Sequence, residues 1–274
     1  MLLESLERLY DGYVDGFREV GGELPEMMRL KREHTANVVR YARAIADGES
    51  FDARTRTAAC AGALLHDTGR YEQLRRYNTF RDSESIDHAE LSHRIVCEQG
   101  WLDGGEVDGA LREAILSSVL YHSRREIPDS LGALAAAALN TVRDADKLDI
   151  FRILEERVQT TDWRTDSRAF WNLDIAAAPN PEVVASIDAC RSVDYRHVRS
   201  LADFVLFQIG WMVCGLYFGT SRRLCVEGGH LAFRRDFLHQ LTDDTSIDRL
   251  CDMAARALES EEGVSCRRFA YRWF

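Results

Sequence analysis

Proline is scarce, with four in 274 residues. So few helix breakers, beside abundant Ala, Leu, Arg and Glu and few β-branched runs, argue against a strand-rich fold and for helices. Positive charge is also in deficit: the formal net charge is -10. That excludes an extended nucleic-acid surface, which would have to neutralise many phosphates. A few arginines converging in one pocket would still hold a small anion. There is no CxxC pair and no regular cysteine framework. Cys60, Cys97, Cys190, Cys214, Cys225, Cys251 and Cys266 are therefore read as small buried hydrophobes in a reducing cytosol, not as zinc ligands or nucleophiles. Long uninterrupted apolar runs are missing too. The N-terminus MLLESLERLY carries acids early, unlike a secretory signal. The most apolar stretch, FVLFQIGWMVCGLYFG at 204–219, follows Asp203, contains Gln208, and is short for a membrane span, so it reads as a buried helix. A cytoplasmic protein with no membrane partner is expected.

What is present is helical periodicity. Apolar residues from Leu2 to Val20 recur at helical spacing until Gly21 and Gly22 interrupt them. Pro25 can open a second helix that stops near Asp47-Gly48. In it Met28, Val38, Val39, Ala42 and Ile45 share an inner face, with His34 near its edge. Asp52 is a candidate N-cap for a third helix, which Gly69 is expected to end. The polar segment RYEQLRRYNTFRDSES is read as a long irregular loop. Further helices are expected at IDHAELSHRIVCEQG, at GEVDGALREAILSSVLYHS and at LGALAAAALNTVRDADKLDIFRILEERV. Beyond the Pro/Asn-rich interruption lie helices at 181–191, 195–217, 231–241 and 246–259. The expected fold is all-α: a helical bundle over residues 1–158 with a helical extension, 159–274, packed on it. The aromatics Phe204, Phe207, Trp211 and Phe218 read as core packing, with a subunit interface as an additional use; a homo-oligomer is compatible with the sequence.

Histidine and aspartate recur in an ordered series: His34, the adjacent pair His66-Asp67, His88, His122 and Asp146. Each falls on or at the end of a different expected helix, and a bundle core is where such residues meet around a metal. Imidazole with carboxylate suits divalent transition metals, whereas magnesium and calcium usually take oxygen alone. An adjacent His-Asp pair offers two ligand types from one helix end, and Asp67 could bridge two cations through its two oxygens. Two metals about 3.5–4 Å apart lower the pKa of a bridging water and clamp a phosphoryl oxygen. Positive side chains near the series would hold the rest of an anion: Arg70 one turn after His66, Lys147 beside Asp146, and Arg143 one turn before Lys147. Arg75, Arg76 and Arg81 could reach over from the loop, although Glu72 and Asp82 are near enough to pair with Arg75 and Arg76.

The segments KREHTANVV, ALLHDTGRYEQ and VRDADKLDIF resemble the HD-domain superfamily of metal-dependent phosphohydrolases, whose signature is H…HD…D on a helical core. The resemblance covers roughly residues 24–158. It implies that His34, His66, Asp67 and Asp146 bind one metal, and that His88 in DHAELS and His122 in LYHS complete a second. One or two divalent ions (Mn, Fe, Co, Ni or Zn) are the expected cofactor. Catalytic roles fall to Asp67, Arg70 and Lys147, and substrate binding to Arg70, Arg143 and Lys147. His93 competes with His88, and Asp144 and Asp149 with Asp146; Asp149 could instead support a ligand histidine. His197, His230 and His239 are read as structural.

The expected activity is hydrolysis of a phosphomonoester or phosphodiester, a nucleotide among the candidates, by a metal-activated water. The alternatives are a di-iron oxygenase of HD-domain type, or a metal-binding signalling module with weak catalysis. The HHExxDGxGYP-like continuation is missing after His122, where the chain reads YHSRREIPDSLG, and this weighs against the cyclic-dinucleotide branch of the superfamily.

Overall fold

The computed structural model describes residues 2–166, 170 and 173–260, and structural statements below concern these. Helix is their only regular secondary structure, apart from an isolated bridge between Asp174 and Ser200. The chain divides into two compact units, one running up to Asp146 and one beginning at Lys147.

The first unit contains α1 (Leu2–Asp15), α2 (Glu26–Gly48), α3 (Ala53–Leu65), α4 (Gly69–Tyr77), α5 (His88–Glu98), α6 (Gly109–Tyr121) and the first half of α7 (Ala133–Thr160). Helix α1 stops at Asp15, short of the expected Val20, and buries Leu6, Tyr10 and Val14, a stripe at every fourth residue. Pro25 precedes α2, whose inner face buries Met28, His34, Val38, Ala42 and Ile45. Asp52, Asp87 and Asp108 each accept amide hydrogens of the first turn of α3, α5 and α6, giving three aspartate N-caps. Helix α3 is buried continuously from Ala58 to Leu65 and packs on α1, α2 and α6. Its small residues allow that approach: a Cβ at Gly62 would lie 2.7 Å from Ser118 Cβ of α6.

The segment after the His-Asp pair corrects the expectation of a loop. Gly69 does not end a helix; it begins α4, which runs to Tyr77 and closes on Asn78 in the left-handed region at φ 53°. Apolar periodicity is missing there because the first turn is buried all round and mostly polar: Arg70, Glu72 and Gln73 are buried beside Tyr71. Arg75 and Arg76 both pair with Glu72, and Arg81 pairs with Glu84. A single 3-10 turn, Asp82–Glu84, follows.

The second unit holds the rest of α7, then α8 (Pro181–Asp188), α9 (Leu201–Cys214), α10 (Gly219–Glu227), α11 (His230–Leu241) and α12 (Ser246–Glu259). Helix α9 is buried on every face and packs on α8, α11 and α12. It starts later than expected because Tyr195–His197 is a separate 3-10 turn, and Ser200 with Asp203 forms a reciprocal capping box at its start. Phe204, Phe207, Trp211 and Phe218 are buried, as core packing requires. No helix is long and apolar enough to cross a membrane. Helix α10 was not anticipated, since GTSRRLCVE lacks an apolar stripe. His230 and His239 bind carboxylates: His230 Nδ1 lies 2.7 Å from Glu155 and His239 Nε2 3.1 Å from Asp248. Arg234, fully buried, donates to Gln208, Glu155 and the Phe151 carbonyl.

Cys190 and Cys214 depart from the reading of all cysteines as free thiols: they form a disulfide across 24 residues. Cys190 has φ 48° just beyond α8, and Cys214 is the last residue of α9, so two packed helix ends bring together thiols that share no sequence motif. Cys60, Cys225 and Cys251 are free and buried, and Cys97 is free and half-buried. Cys266 lies outside the described residues.

Candidate metal centre

Two helix ends deliver two of the histidines in the same way. His66 caps the C-terminus of α3 and His122 that of α6. In each, Nδ1 donates to the carbonyl three residues back, Ala63 for His66 and Val119 for His122, both at 2.8 Å. A helix end leaves its last carbonyls without intrahelical partners, and each imidazole satisfies one of them. That bond places the proton on Nδ1 and leaves Nε2 with its lone pair. His88 opens α5, and its Nδ1 lies 2.6 Å from Asp82 Oδ2. An outer carboxylate that holds one imidazole nitrogen orients the other for ligation. His34 comes from the inner face of α2 and Asp146 from α7, with Nε2 to Oδ1 at 3.1 Å.

Asp67 stands at the middle of these groups. Its Oδ2 lies 3.7 Å from His34 Nε2 and 3.6 Å from His66 Nε2. Its Oδ1 lies 3.5 Å from His88 Nε2 and 3.9 Å from His122 Nε2. Thus the ligand-capable atoms of His34, His66 and Asp67 lie within 4.8 Å of one another, and so do those of Asp67, His88 and His122. Asp82, Asp87 and His88 form a third such group. There, however, Asp82 holds His88 Nδ1 and Asp87 caps α5, so these carboxylates position the imidazole. His93 is half-buried and in none of the groups. Asp149 pairs with Arg152 at 2.7 Å.

The donor set fits divalent transition metal. His66 Nε2 is buried without a hydrogen-bond partner, an arrangement that costs stability unless a cation takes the lone pair. The Nε2 atoms of His88 and His122 lie 3.0 Å apart, and with both protons on Nδ1 two lone pairs face each other, which requires a shared cation or proton.

The cations divide into two sets. Arg70 is buried beside the cluster, its Nε 3.5 Å from Asp67 Oδ1. Its Nη1 donates to Gln73 (2.9 Å), the Phe80 carbonyl (2.5 Å) and Asp82 (3.0 Å). Arg143 and Lys147, expected at the substrate, donate to carbonyls at helix ends. Arg143 Nη1 donates to the carbonyls of Tyr121, His122 and Arg124, fixing the end of α6 that carries His122. Lys147 Nζ donates to the Gly215 carbonyl at 2.5 Å, at the C-cap of α9. Terminal carbonyls carry the negative end of the helix dipole and attract such cations, so sequence adjacency to Asp146 does not direct Lys147 to an anion.

Lys31, Gln73 and Asp82 were missed. Lys31 Nζ lies 2.7 Å from Asp67 Oδ2; its signal was its place one turn before His34. Gln73 donates to Asp82, Ser85 and the Ile86 carbonyl, tying α4 to the segment before α5. Nothing in a stretch rich in acids singled out Asp82.

The electrostatics of the cluster predict that the fold loses stability in acid. Burial raises the Asp67 carboxyl, but Lys31, His66, Arg70 and His88 outweigh it and hold the group well below the usual range. Burial likewise opposes ionisation of Asp146, yet the His34 hydrogen bond and neighbouring imidazoles bring it down to about 2. Burial depresses His66 against the pull of Asp67 and Asp146, and depresses His122 further, with His66 and His88 adding repulsion. Below pH 6.5 the unfolded chain therefore binds protons on His66 and His122 that the folded chain refuses. Their contribution to stability is complete above the unfolded value and falls with pH by about 1.4 kcal/mol per unit for each proton. The Asp146 contribution is lost between 3.8 and about 2. In chelator-treated buffer the melting temperature should fall steadily between pH 7 and pH 5, and His122→Gln should flatten that slope. A melting temperature constant over this interval would contradict the assignment of neutral, buried imidazoles.

The HD domain family model matches residues 32–151. No curated protein and no solved structure matches the chain. HD-domain proteins bind divalent metals, and the family consists generally of metal-dependent phosphohydrolases. The matched stretch, residues 32–151, contains the cluster around Asp67.

Proposed function

We propose that this chain is a phosphohydrolase that cleaves a phosphomonoester or phosphodiester, a nucleotide among the candidate substrates, at a centre of one or two Mn, Fe, Co, Ni or Zn ions. One observation carries the reading: the two oxygens of Asp67 face separate histidine pairs, His34 with His66 and His88 with His122. A carboxylate so placed can bridge, with Asp146 beside His34 closing the set. The bound metal would supply an acidified water as nucleophile and polarise a phosphoryl oxygen. The chain's own work is to orient: Asp82 holds His88, the Ala63 and Val119 carbonyls hold His66 and His122, and Arg143 holds the end of α6. Arg70 keeps a positive charge beside Asp67, where it favours an anionic substrate.

Purified protein loaded in turn with each metal and offered aryl phosphates and a nucleotide panel should release phosphate or alcohol. His66→Ala should remove that activity along with metal uptake. If metal-replete protein cleaves no phosphoester, the reading fails. The donor set of four imidazoles and two carboxylates also suits iron, and supports a second reading, a di-iron oxygenase. Oxygen consumption by the iron-loaded protein, with no turnover when loaded with zinc, would favour it.

A further inference from the structure

The shared carboxylate has a neighbour that no ligand role accounts for. Lys31 Nζ sits 2.7 Å from Asp67 Oδ2, the oxygen that also faces His34 and His66. Lys31 lies one turn before His34 on α2, its side chain is 22% exposed, and its ammonium is 5.5 Å from the centre of the Phe80 ring. Composition sets this residue apart. The chain has 35 basic residues, and only Lys31 and Lys147 are lysine; every other cation is arginine. A guanidinium is a rigid planar fork, whereas an ammonium is a compact charge on a flexible four-carbon stem. In a chain whose cations are otherwise arginine apart from Lys147, the position on Asp67 is held by a cation small and mobile enough to leave it and remain close.

Lys31 and a metal ion would draw on the same oxygen. A divalent ion bound through His34, His66 and Asp67 Oδ2 would repel an ammonium at contact distance, most strongly where water is excluded. The partly exposed stem lets the ammonium swing away without leaving the neighbourhood of the centre.

We propose that Lys31 is a substrate-binding residue coupled to metal loading: it competes with the metal for Asp67 Oδ2, and once displaced it binds an oxygen of the substrate's phosphate. The proposal rests on the reading of the His/Asp cluster as a metal centre, and goes beyond it by naming the group that joins metal to anion. Its test uses the full-length protein, with Lys31→Met and Lys31→Gln, the latter keeping a donor for Asp67 should the apolar variant fail to fold. Mn(II) affinity is measured by titration calorimetry, and inorganic phosphate affinity is then measured on the Mn(II)-loaded forms. The variants should bind Mn(II) about tenfold more tightly and phosphate about tenfold more weakly than wild type, the scale of one charge-assisted contact. Unchanged or weaker Mn(II) binding would overturn the competition, and unchanged phosphate binding would overturn the anion role. Wild-type protein that takes up none of Mn(II), Co(II) or Ni(II) would remove the metal-centre reading itself, and this proposal with it.

Discussion

Asp67→Asn should leave the protein folded but nearly devoid of metal and activity. Asparagine keeps the size of the side chain but offers one carbonyl oxygen where the carboxylate offers two, so it cannot face both histidine pairs. It also removes the negative charge that Lys31 and Arg70 approach at 2.7 Å and 3.5 Å, and an amide that turns its NH2 toward Lys31 would present a donor to a donor. The metal would lose one of its two anionic ligands while those cations remain, so affinity falls through lost attraction and added repulsion together. Turnover of the best phosphoester should drop about a thousandfold, which corresponds to about 4 kcal/mol of lost transition-state stabilisation. Elemental analysis of the dialysed protein should show the metal content per chain falling in parallel, while circular dichroism retains the helical signal. A variant with wild-type metal content and rate would show that Asp67 is not the shared ligand.

The contrast between Asp67 and its neighbours separates what is legible in the sequence from what is not. Few residue types can ligate a metal, so His34, His66, His88, His122 and Asp146 stand out in the sequence as an ordered series; in the structure the four histidines lie around Asp67, with Asp146 beside His34. Aspartate N-caps such as Asp52 are local and equally legible. Helix α4 was not, because its buried face is Arg70, Glu72 and Gln73, and apolar periodicity is silent where polar groups bury one another. The contacts of Arg143 and Lys147 are not legible in the sequence, because nearness along the chain says nothing about where a long side chain ends; both reach carbonyls at helix ends. Lys31 and Asp82 act through distances to residues 36 and 6 positions away. A charged residue in a charged stretch carries no sign of such a partner. The Cys190–Cys214 bond likewise depends on two helix ends meeting.

Gly69→Ala should be the most damaging small substitution in residues 32–151, with an effect that reaches the candidate metal centre. A Cβ on Gly69 would lie 2.6 Å from the Ser92 amide nitrogen, 2.7 Å from the His88 carbonyl oxygen and 3.0 Å from Leu91 Cβ. The first two are backbone atoms of α5, so no rotamer change relieves the contact; α4 and α5 must move apart. Alanine in place of glycine favours a helix by roughly 0.5–1 kcal/mol, but overpacking of this kind typically costs about 1–3 kcal/mol. With two backbone atoms in the way, the clash prevails. Separation would also stretch the 2.8 Å bond from the Gly69 amide to Ser92 Oγ, whose hydroxyl in turn donates to the His88 carbonyl at 2.8 Å. His88 would shift from its place opposite Asp67 Oδ1, 3.5 Å away. The expected net result is a loss of about 2 kcal/mol and a melting temperature lower by roughly 4–8 °C. Metal affinity should also fall about tenfold, as for loss of a positioning contact. Differential scanning fluorimetry with and without added metal reads both effects, the second as a smaller metal-induced rise. A variant that melts at the wild-type temperature and gains the full metal-induced rise would show that α4 and α5 do not need glycine at their crossing.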